Sequence, residues 1–280
     1  MIIDCHTHLL PGIDDGAKDL GVSMEMLKEE HRQGIDLVIA SPHFYANRDQ
    51  IENFIDRRAK ALEIIKEHIA LRQQSIPTES ESPQSATAEN NSLQSATAEN
   101  ESPQSATVEN DSKADLNESN LPEIKLGAEV AFFNGISKSD EIGRLCVEGT
   151  STLLIEMPFD SWSDKVINEI NELVTERGFS VVLVHIERFL SFPGNTEKVE
   201  RLLGIPVILQ MNAERLIQTG IFGKMSSKKL LEYIETGMVS LLGSDCHNMG
   251  TRKPNLLSAR EMISKEALQR IDEAGQKLFG

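Results

Sequence analysis

Along this 280-residue chain, short continuous apolar runs alternate with longer stretches whose apolar positions recur every three to four residues. The runs fall at 1–5, 36–40, 123–128, 152–156, 180–184, 206–210 and 239–243. They are rich in β-branched residues and show little in/out alternation, the pattern of strands buried on both faces of a parallel sheet. Helical spacing appears near 22–34, 50–72, 163–176, 196–203, 226–236 and 255–265, with a last stretch near 266–279. Gly34 and Gly178 stand just past two of these, where a left-handed cap residue is commonly needed. Such strand–helix units predict an α/β protein, a (β/α) barrel or a doubly wound sheet, and 280 residues could hold one large domain or two small ones.

The stretch 75–120 fits neither pattern. It contains three successive decamers, ESPQSATAEN, NSLQSATAEN and ESPQSATVEN, at 81–90, 91–100 and 101–110. That period is too short for a solenoid repeat. Nine acidic residues and one lysine in 75–120 supply half of the chain's net charge of −16. With almost no large apolar side chains, the segment buries too little to offset its ordering entropy, so a disordered loop insert is expected. An inert repeat expansion is the simpler expectation; a partner-docking tether is the alternative.

The remaining composition removes several function classes. Hydrophobic residues make up 39%, enough for a core. The net charge of −16 argues against a nucleic-acid partner or adsorption to an anionic membrane, both of which want a basic face. A phosphorylated substrate stays possible, because bound divalent cations can reverse the field inside a pocket. Three cysteines, Cys5, Cys146 and Cys246, imply no disulfide framework. Met1 leads straight into Ile2-Ile3-Asp4 without a basic leader, and no apolar run nears the ~20 residues that span a bilayer. A cytoplasmic protein without membrane insertion is the expectation.

Of seven histidines, His31 and His68 sit among charged residues in helical stretches and read as solvated. The other five, His6, His8, His43, His185 and His247, lie at or just beyond the C-terminal ends of predicted strands. Asp15, Glu129, Glu156 and Asp245 occupy comparable positions. In a barrel of parallel strands those ends converge on one face. Buried carboxylates there are costly unless a shared cation compensates them. His6 and His8 are two apart, as are Asp245 and His247, so each pair can project to one face of an extended strand. Mixed nitrogen and oxygen ligands without cysteine suit Mn, Fe or Zn, and nine candidates imply two or three ions.

These residues also carry a resemblance. MIIDCHTHLLPGIDDGA at 1–17 resembles the opening of the PHP (polymerase and histidinol phosphatase) superfamily. It is most similar to bacterial capsule-biosynthesis protein-tyrosine phosphatases of the CpsB/CapC type. The likeness continues through Ser41-Pro42-His43, Gly127-Ala128-Glu129, Leu154-Ile155-Glu156, His185-Ile186-Glu187-Arg188 and Ser244-Asp245-Cys246-His247-Asn248. The resemblance implies a distorted (β/α)7 TIM-like barrel with three metal ions, often manganese. It implies His6, His8, Asp15, His43, Glu129, Glu156, His185, Asp245 and His247 as ligands, with Glu156 bridging. Asp14 is taken as a supporting residue beside the ligands rather than a ligand. Arg188 and Arg252 would contact phosphate, and Asp4 would orient a ligand histidine.

Hydrolysis of a phosphomonoester would then use metal-activated hydroxide, with guanidinium groups holding the remaining phosphoryl oxygens. The resemblance points to phosphotyrosine on a protein, a bacterial tyrosine autokinase controlling polysaccharide export. A small-molecule phosphatase of histidinol-phosphate type and a non-catalytic metal-binding partner module are the alternatives. Cys246 to Arg252 is a literal C-x5-R, the spacing of cysteine-dependent tyrosine phosphatases. That chemistry needs a glycine-rich anion cradle opening a helix. HNMGT has one glycine, and the thiol between Asp245 and His247 should face away, so a cysteine nucleophile is not expected.

Overall fold

The computed structural model describes residues 1–74, 120–190, 195–217 and 227–280; the expected insert at 75–120 lies outside them except for Asn120. In chain order the first half contains β1 (Ile3–Thr7), α1 (Leu20–Arg32), β2 (Leu37–Ala40), β3 (His43–Phe44), α2 (Ile51–Gln74), β4 (Glu123–Leu126), β5 (Glu129–Ala131) and β6 (Thr152–Glu156). There follow α3 (Asp164–Thr175), β7 (Ser180–Leu183), α4 (Thr196–Leu203), β8 (Ile208–Asn212), α5 (Glu214–Ile217), α6 (Ser227–Glu235), β9 (Leu241–Gly243), α7 (Leu256–Arg260) and α8 (Lys265–Phe279).

Among the described residues every strand pairing is parallel, in the ladders β1–β2–β4 and β3–β5–β6–β7–β8–β9. The two ladders are levels of one curled sheet. β3 continues from β2 across Ser41-Pro42, and β5 from β4 across Gly127-Ala128. Pro42 has no N–H to give, which interrupts regular pairing. The backbone still bridges the gap, Gly127 N donating to Ala40 O at 2.8 Å and Glu129 N to Pro42 O at 3.0 Å. At the other side Thr7 pairs in parallel with Cys246. There Asp245 N donates to His6 O at 2.8 Å and His8 N to Cys246 O at 2.9 Å. The end of β1 and the segment just after β9 are therefore hydrogen-bonded to each other.

The sheet is buried on both faces, as its near-continuous apolar strands predict. Ile3, Leu37, Ile39, Leu154, Val182 and Leu241 meet one another from five strands, so they lie inside the curl, with Phe279 of α8 packed against them. Val38, Leu153, Ile155, Val181 and Leu183 belong to the cluster shared with helix residues such as Met26, Leu27 and Ile170, on the convex side. The helices begin and end for local reasons. Asp19 caps α1 by accepting from Val22 N at 3.0 Å, and Gly34 follows that helix at φ 75°. Ser264 caps α8 by accepting from Ala267 N at 3.2 Å. No helix among the described residues is long and apolar enough to cross a membrane.

β1, β8 and β9 each begin two residues later than the pattern predicts. A strand buried on both faces has no polar alternation to mark its ends. The helix expected over 255–265 shortens to α7, because Ser264 starts a new one. One irregularity sits at the heart of the sheet: Asp4 opposes Val38 but Thr7 opposes Ala40, so β1 carries a bulge. Strict alternation would send Cys5 and His6 to opposite faces. With the bulge, Cys5 joins the inner cluster and His6 still reaches the strand-end centre beside it.

Candidate metal centre

All nine proposed ligands meet at the C-terminal ends of the strands. Three groups of side chains bring their donor atoms within 4.8 Å of one another: His8, Asp15, His43 and His247; His6, His8 and Asp245; and His43, Glu129 and Glu156. His185 joins through Nε2, 2.6 Å from Glu129 Oε1 and 3.3 Å from Glu156 Oε1. Asp15, contributed by the loop after β1, lies 3.5 Å from both His43 Nε2 and His247 Nε2. Except for the exposed Asp15 and the half-buried His43, these residues are buried.

Glu129 is the hub. Its Oε2 lies 3.2 Å from His6 Nε2, 3.2 Å from His8 Nε2 and 3.0 Å from His43 Nδ1, while Oε1 meets His185. Glu156, the carboxylate expected to bridge, touches His185 and, at 3.8 Å, Arg188.

The donor set fits divalent cations. Ligand atoms ~2.1 Å from one ion stand roughly 3.0–3.4 Å apart. His6 Nε2 and His8 Nε2 are 3.3 Å apart, and Asp245 Oδ1 is 3.4 Å from the second. Two imidazole nitrogens facing each other among carboxylates are poorly served by protons alone. His247 Nε2, in the group with His8, His43 and Asp15, is buried without any hydrogen-bond partner. An unpaired buried acceptor costs about 1–3 kcal/mol, which a cation would relieve.

Several neighbours orient these rings. His8 Nδ1 lies 2.7 Å from Asp14 Oδ2; that carboxylate also accepts from His43 N and Gly16 N, each at 2.9 Å. An Nδ1–H donated to Asp14 turns the lone pair of His8 Nε2 to the centre. His6 Nδ1 lies 3.5 Å from Gln210 Oε1, which also accepts from His185 N at 2.7 Å. His247 Nδ1 is 2.9 Å from the carbonyl oxygen of Asp245.

Sequence reasoning missed Gln210 and its neighbour Asn212, whose Nδ2 donates to Asp245 Oδ2 at 2.6 Å. Two polar residues spaced by one at the end of an apolar strand were the available signal. It also missed Glu30 of α1, fully buried behind the centre. Asp4 is corrected: its Oδ1 accepts from the backbone amides of His6, at 3.2 Å, and Ser244, at 2.9 Å, so it ties β1 to the end of β9 rather than orienting an imidazole. The bulge explains this, since it separates the direction of Asp4 from that of the His6 ring.

Charge is shared tightly here. Burial would lower His8, but Asp14, Asp245 and Glu129 outweigh it and hold its pKa well above the usual value. Burial likewise opposes His185, yet hydrogen bonds to Glu129 and Glu156 push it up to about 9. Against burial, His6 and the bonds from His185 and His43 keep Glu129 well below the carboxylate range. His247 falls to about 4 through burial and the charge of His8. Protons on some imidazoles thus balance carboxylates that stay ionised.

The backbone is shaped for the same purpose. His185 (φ 36°) and Asp245 (φ 52°) are the non-glycine residues with positive φ among those described. Each such conformation costs of order 1–3 kcal/mol and persists where surroundings enforce it. A Cβ on Gly243 would stand 2.7 Å from His6 Cβ and 2.9 Å from Gln210 Nε2. Gly243→Ala is therefore expected to displace the His6 ring and lower metal content per chain, measured by elemental analysis. A fully loaded variant would show that the close approach has no such role.

Arg188 Nη2 lies 2.9 Å and Arg252 Nη2 2.7 Å from Asp245 Oδ2, both guanidiniums about a third exposed. Cys246 points away: it is fully buried, with Sγ 3.7 Å from Glu30 Oε1. Burial, with Glu30 and Asp4, pushes this thiol well above the usual cysteine value. Cys246→Ser is expected to keep most of the phosphomonoester hydrolysis that the resemblance implies; loss of turnover with full metal content would restore the thiol as a candidate nucleophile.

Curled parallel sheet and recessed histidine–carboxylate centre together define an α/β protein whose strand ends carry a donor set that fits divalent metal. The family model for capsular polysaccharide synthesis, CpsB/CapC, matches residues 2–80 and 86–275, and the chain belongs to that family. It is 26% identical over 273 residues to tyrosine-protein phosphatase YwqE of Bacillus subtilis, covering 95% of this chain and 85% of that protein. Tyrosine-protein phosphatase CpsB of Streptococcus agalactiae serotype III is 22% identical over 270 residues, 95% of this chain and 90% of the relative. Among solved structures, one described as YwqE from Bacillus subtilis and CpsB from Streptococcus pneumoniae, unique metal-dependent tyrosine phosphatases, superposes with a TM-score of 0.70 at 22% identity. That match covers 99% of this chain and 94% of the other, and it shows the same fold.

Proposed function

We propose that the chain is a metal-dependent protein-tyrosine phosphatase, manganese being the working ion, and that 1–280 form a single PHP-type domain. The observation that carries it is the convergence of nine histidine and carboxylate side chains with two arginines in one recessed centre. Counting β2 with β3 and β4 with β5 as single staves gives seven, which supports a (β/α)7 barrel closed between β1 and β9. Three donor groups support three ions, with Glu129 shared more widely than Glu156.

His6, His8, Asp15, His43, Glu129, Glu156, His185, Asp245 and His247 would hold the ions. Bound divalent ions would lower the pKa of water toward neutrality and neutralise phosphoryl oxygens. Arg188 and Arg252, now resting on Asp245, would turn to the phosphoryl oxygens and hold them by paired hydrogen bonds. Asp14 and Gln210 keep the His8 and His6 rings aimed. Tyr45, its ring 5.3 Å from that of His43, keeps its proton because burial and then Glu156, Glu129 and Asp15 push it up to about 12. A hydroxyl that keeps its proton would be able to donate to the ester. A phenolate, the leaving group of phosphotyrosine, has a pKa near ~10 and departs with modest help.

The names of the relatives support phosphotyrosine as substrate, and the family description supports a role in capsule synthesis, with a bacterial tyrosine autokinase as partner in the cytoplasm. Kinetics on a phosphotyrosine peptide against histidinol phosphate, with manganese, test the reading. A preference for the peptide is expected. A preference for histidinol phosphate would move the chain to small-molecule hydrolysis.

A further inference from the structure

Seven of the nine proposed ligands line the floor of the site at under a tenth exposure, but its rim carries a large apolar side chain left open. Phe159, in the loop between β6 and α3, is 59% exposed. Its ring lies nearly parallel to that of His185, at 23° and 6.4 Å between centroids. From behind it packs on Phe189 at 5.1 Å, which in turn meets Trp162 at 5.9 Å. The loop is tied as well. Trp162 Nε1 donates to Pro158 O at 3.0 Å, and Asn195 takes Trp162 N on Oδ1 at 2.8 Å while giving Nδ2 to Asp160 O at 3.3 Å. Phe159 is thus held by its contact with Phe189 and by one loop, with the rest of its ring open beside His185. Ordering it again on binding would cost little.

Beside it opens a cavity of about 580 Å³, over the ends of β3, β5 and β6. Tyr45, Phe132, Phe133 and Asn134 line it, as do Pro158 and Asp160 on either side of Phe159. The walls hold one charged side chain, Asp160, and are otherwise apolar, aromatic, amide or hydroxyl. A bare phosphate needs no such wall; a phosphate carried on an aromatic ring does.

We propose that the open face of Phe159 is the platform on which the aromatic ring of a phosphomonoester lies while its phosphate reaches the buried centre. This rests on the aryl-phosphate reading above and adds the group that selects the ring. Two features give selectivity. Offset or edge contacts between rings at 4.5–7 Å favour an aryl group over an alkyl one. Depth does the rest: ligands on the floor are reached by a phosphate held out on a rigid ring, whereas the single methylene of a phosphoserine would bring the peptide backbone against the rim. Phe159 acts on substrate binding, so its effect should appear in KM more than in kcat.

The test compares metal-loaded wild type, Phe159→Ala and Phe159→Trp. Each is assayed on phenyl phosphate and glycerol phosphate, and titrated by calorimetry with phenylphosphonate and methylphosphonate. In Phe159→Ala the aryl-over-alkyl ratio of kcat/KM should fall roughly threefold to tenfold, through KM, with a matching fall in the phosphonate affinity ratio. Phe159→Trp should restore both. An unchanged ratio in Phe159→Ala, or equal weakening of both phosphonates, overturns the platform. If wild type hydrolyses neither ester, the phosphatase reading fails and the phosphonates decide alone: an aryl preference lost with Phe159→Ala supports the platform, and no aryl preference rejects it.

Discussion

Removing divalent ions with a chelator is expected to take phosphotyrosine hydrolysis to background and to lower the melting temperature by roughly 10 °C. An ion present at a thousand times its Kd contributes about 4 kcal/mol to the folded state, and each kcal/mol moves a domain of this size by about 2–4 °C. The loss should be large here because Glu129, Asp245 and the ring of His8 have almost no water to turn to. Without cations the centre must carry protons instead. Below the raised values of His8 and His185, about 9 for the latter, those rings are charged in the metal-free protein. Metal has to displace those protons, so loading should release acid and apparent affinity should rise with pH. Proton release measured in weak buffer, alongside a thermal melt with and without manganese, checks the sign. Activity and melting unaffected by complete chelation would end the metal reading.

Glu129→Gln is the substitution with the largest expected effect. It keeps size and shape while removing a charge shared by His6, His8, His43 and His185. Taking one partner from a buried ionic cluster costs about 3–5 kcal/mol, since the remaining charges stay buried. Turnover should fall by at least about a hundredfold, beyond the loss seen when residues merely supporting a ligand are changed. Metal per chain should fall with it. Glu156→Gln, touching fewer imidazoles, should be milder. Were the two reversed, with Glu156→Gln the more damaging, the bridge would belong to Glu156 as the family resemblance implies.

The candidate ligands were legible in the sequence because each is a charged or imidazole side chain at the end of an apolar run, where a solvated explanation is expensive. The parallel α/β class was legible for a related reason: runs without alternation must be covered on both sides. The bulge in β1 was not, because it depends on how β1 sits against β2 and leaves no mark in composition. Nor was the division of β2 from β3, although Pro42 stood at the break. Gln210, Asn212 and Glu30 are ordinary residues until the fold brings Asp245, His6 and Asp4 to them. Phe159 falls between the strand predicted at 152–156 and the helix predicted at 163–176, where nothing in the pattern marks it. Its openness is a property of the surface, which periodicity does not describe.

The hydrogen-bonded seam between β1 and the end of β9 also sets the order in which the protein can be made. His6 and His8 leave the ribosome long before Asp245 and His247, which lie far downstream in the sequence. Until β9 docks, His6 and His8 have no partner carboxylate across that seam, and the nascent sheet has an open edge. Contacts this far apart in sequence are slow to form, because they close a long loop. Metal acquisition is therefore expected to wait for β9 and the residues just after it, and a ribosome-bound fragment ending before β9 should bind manganese weakly however well its helices have formed.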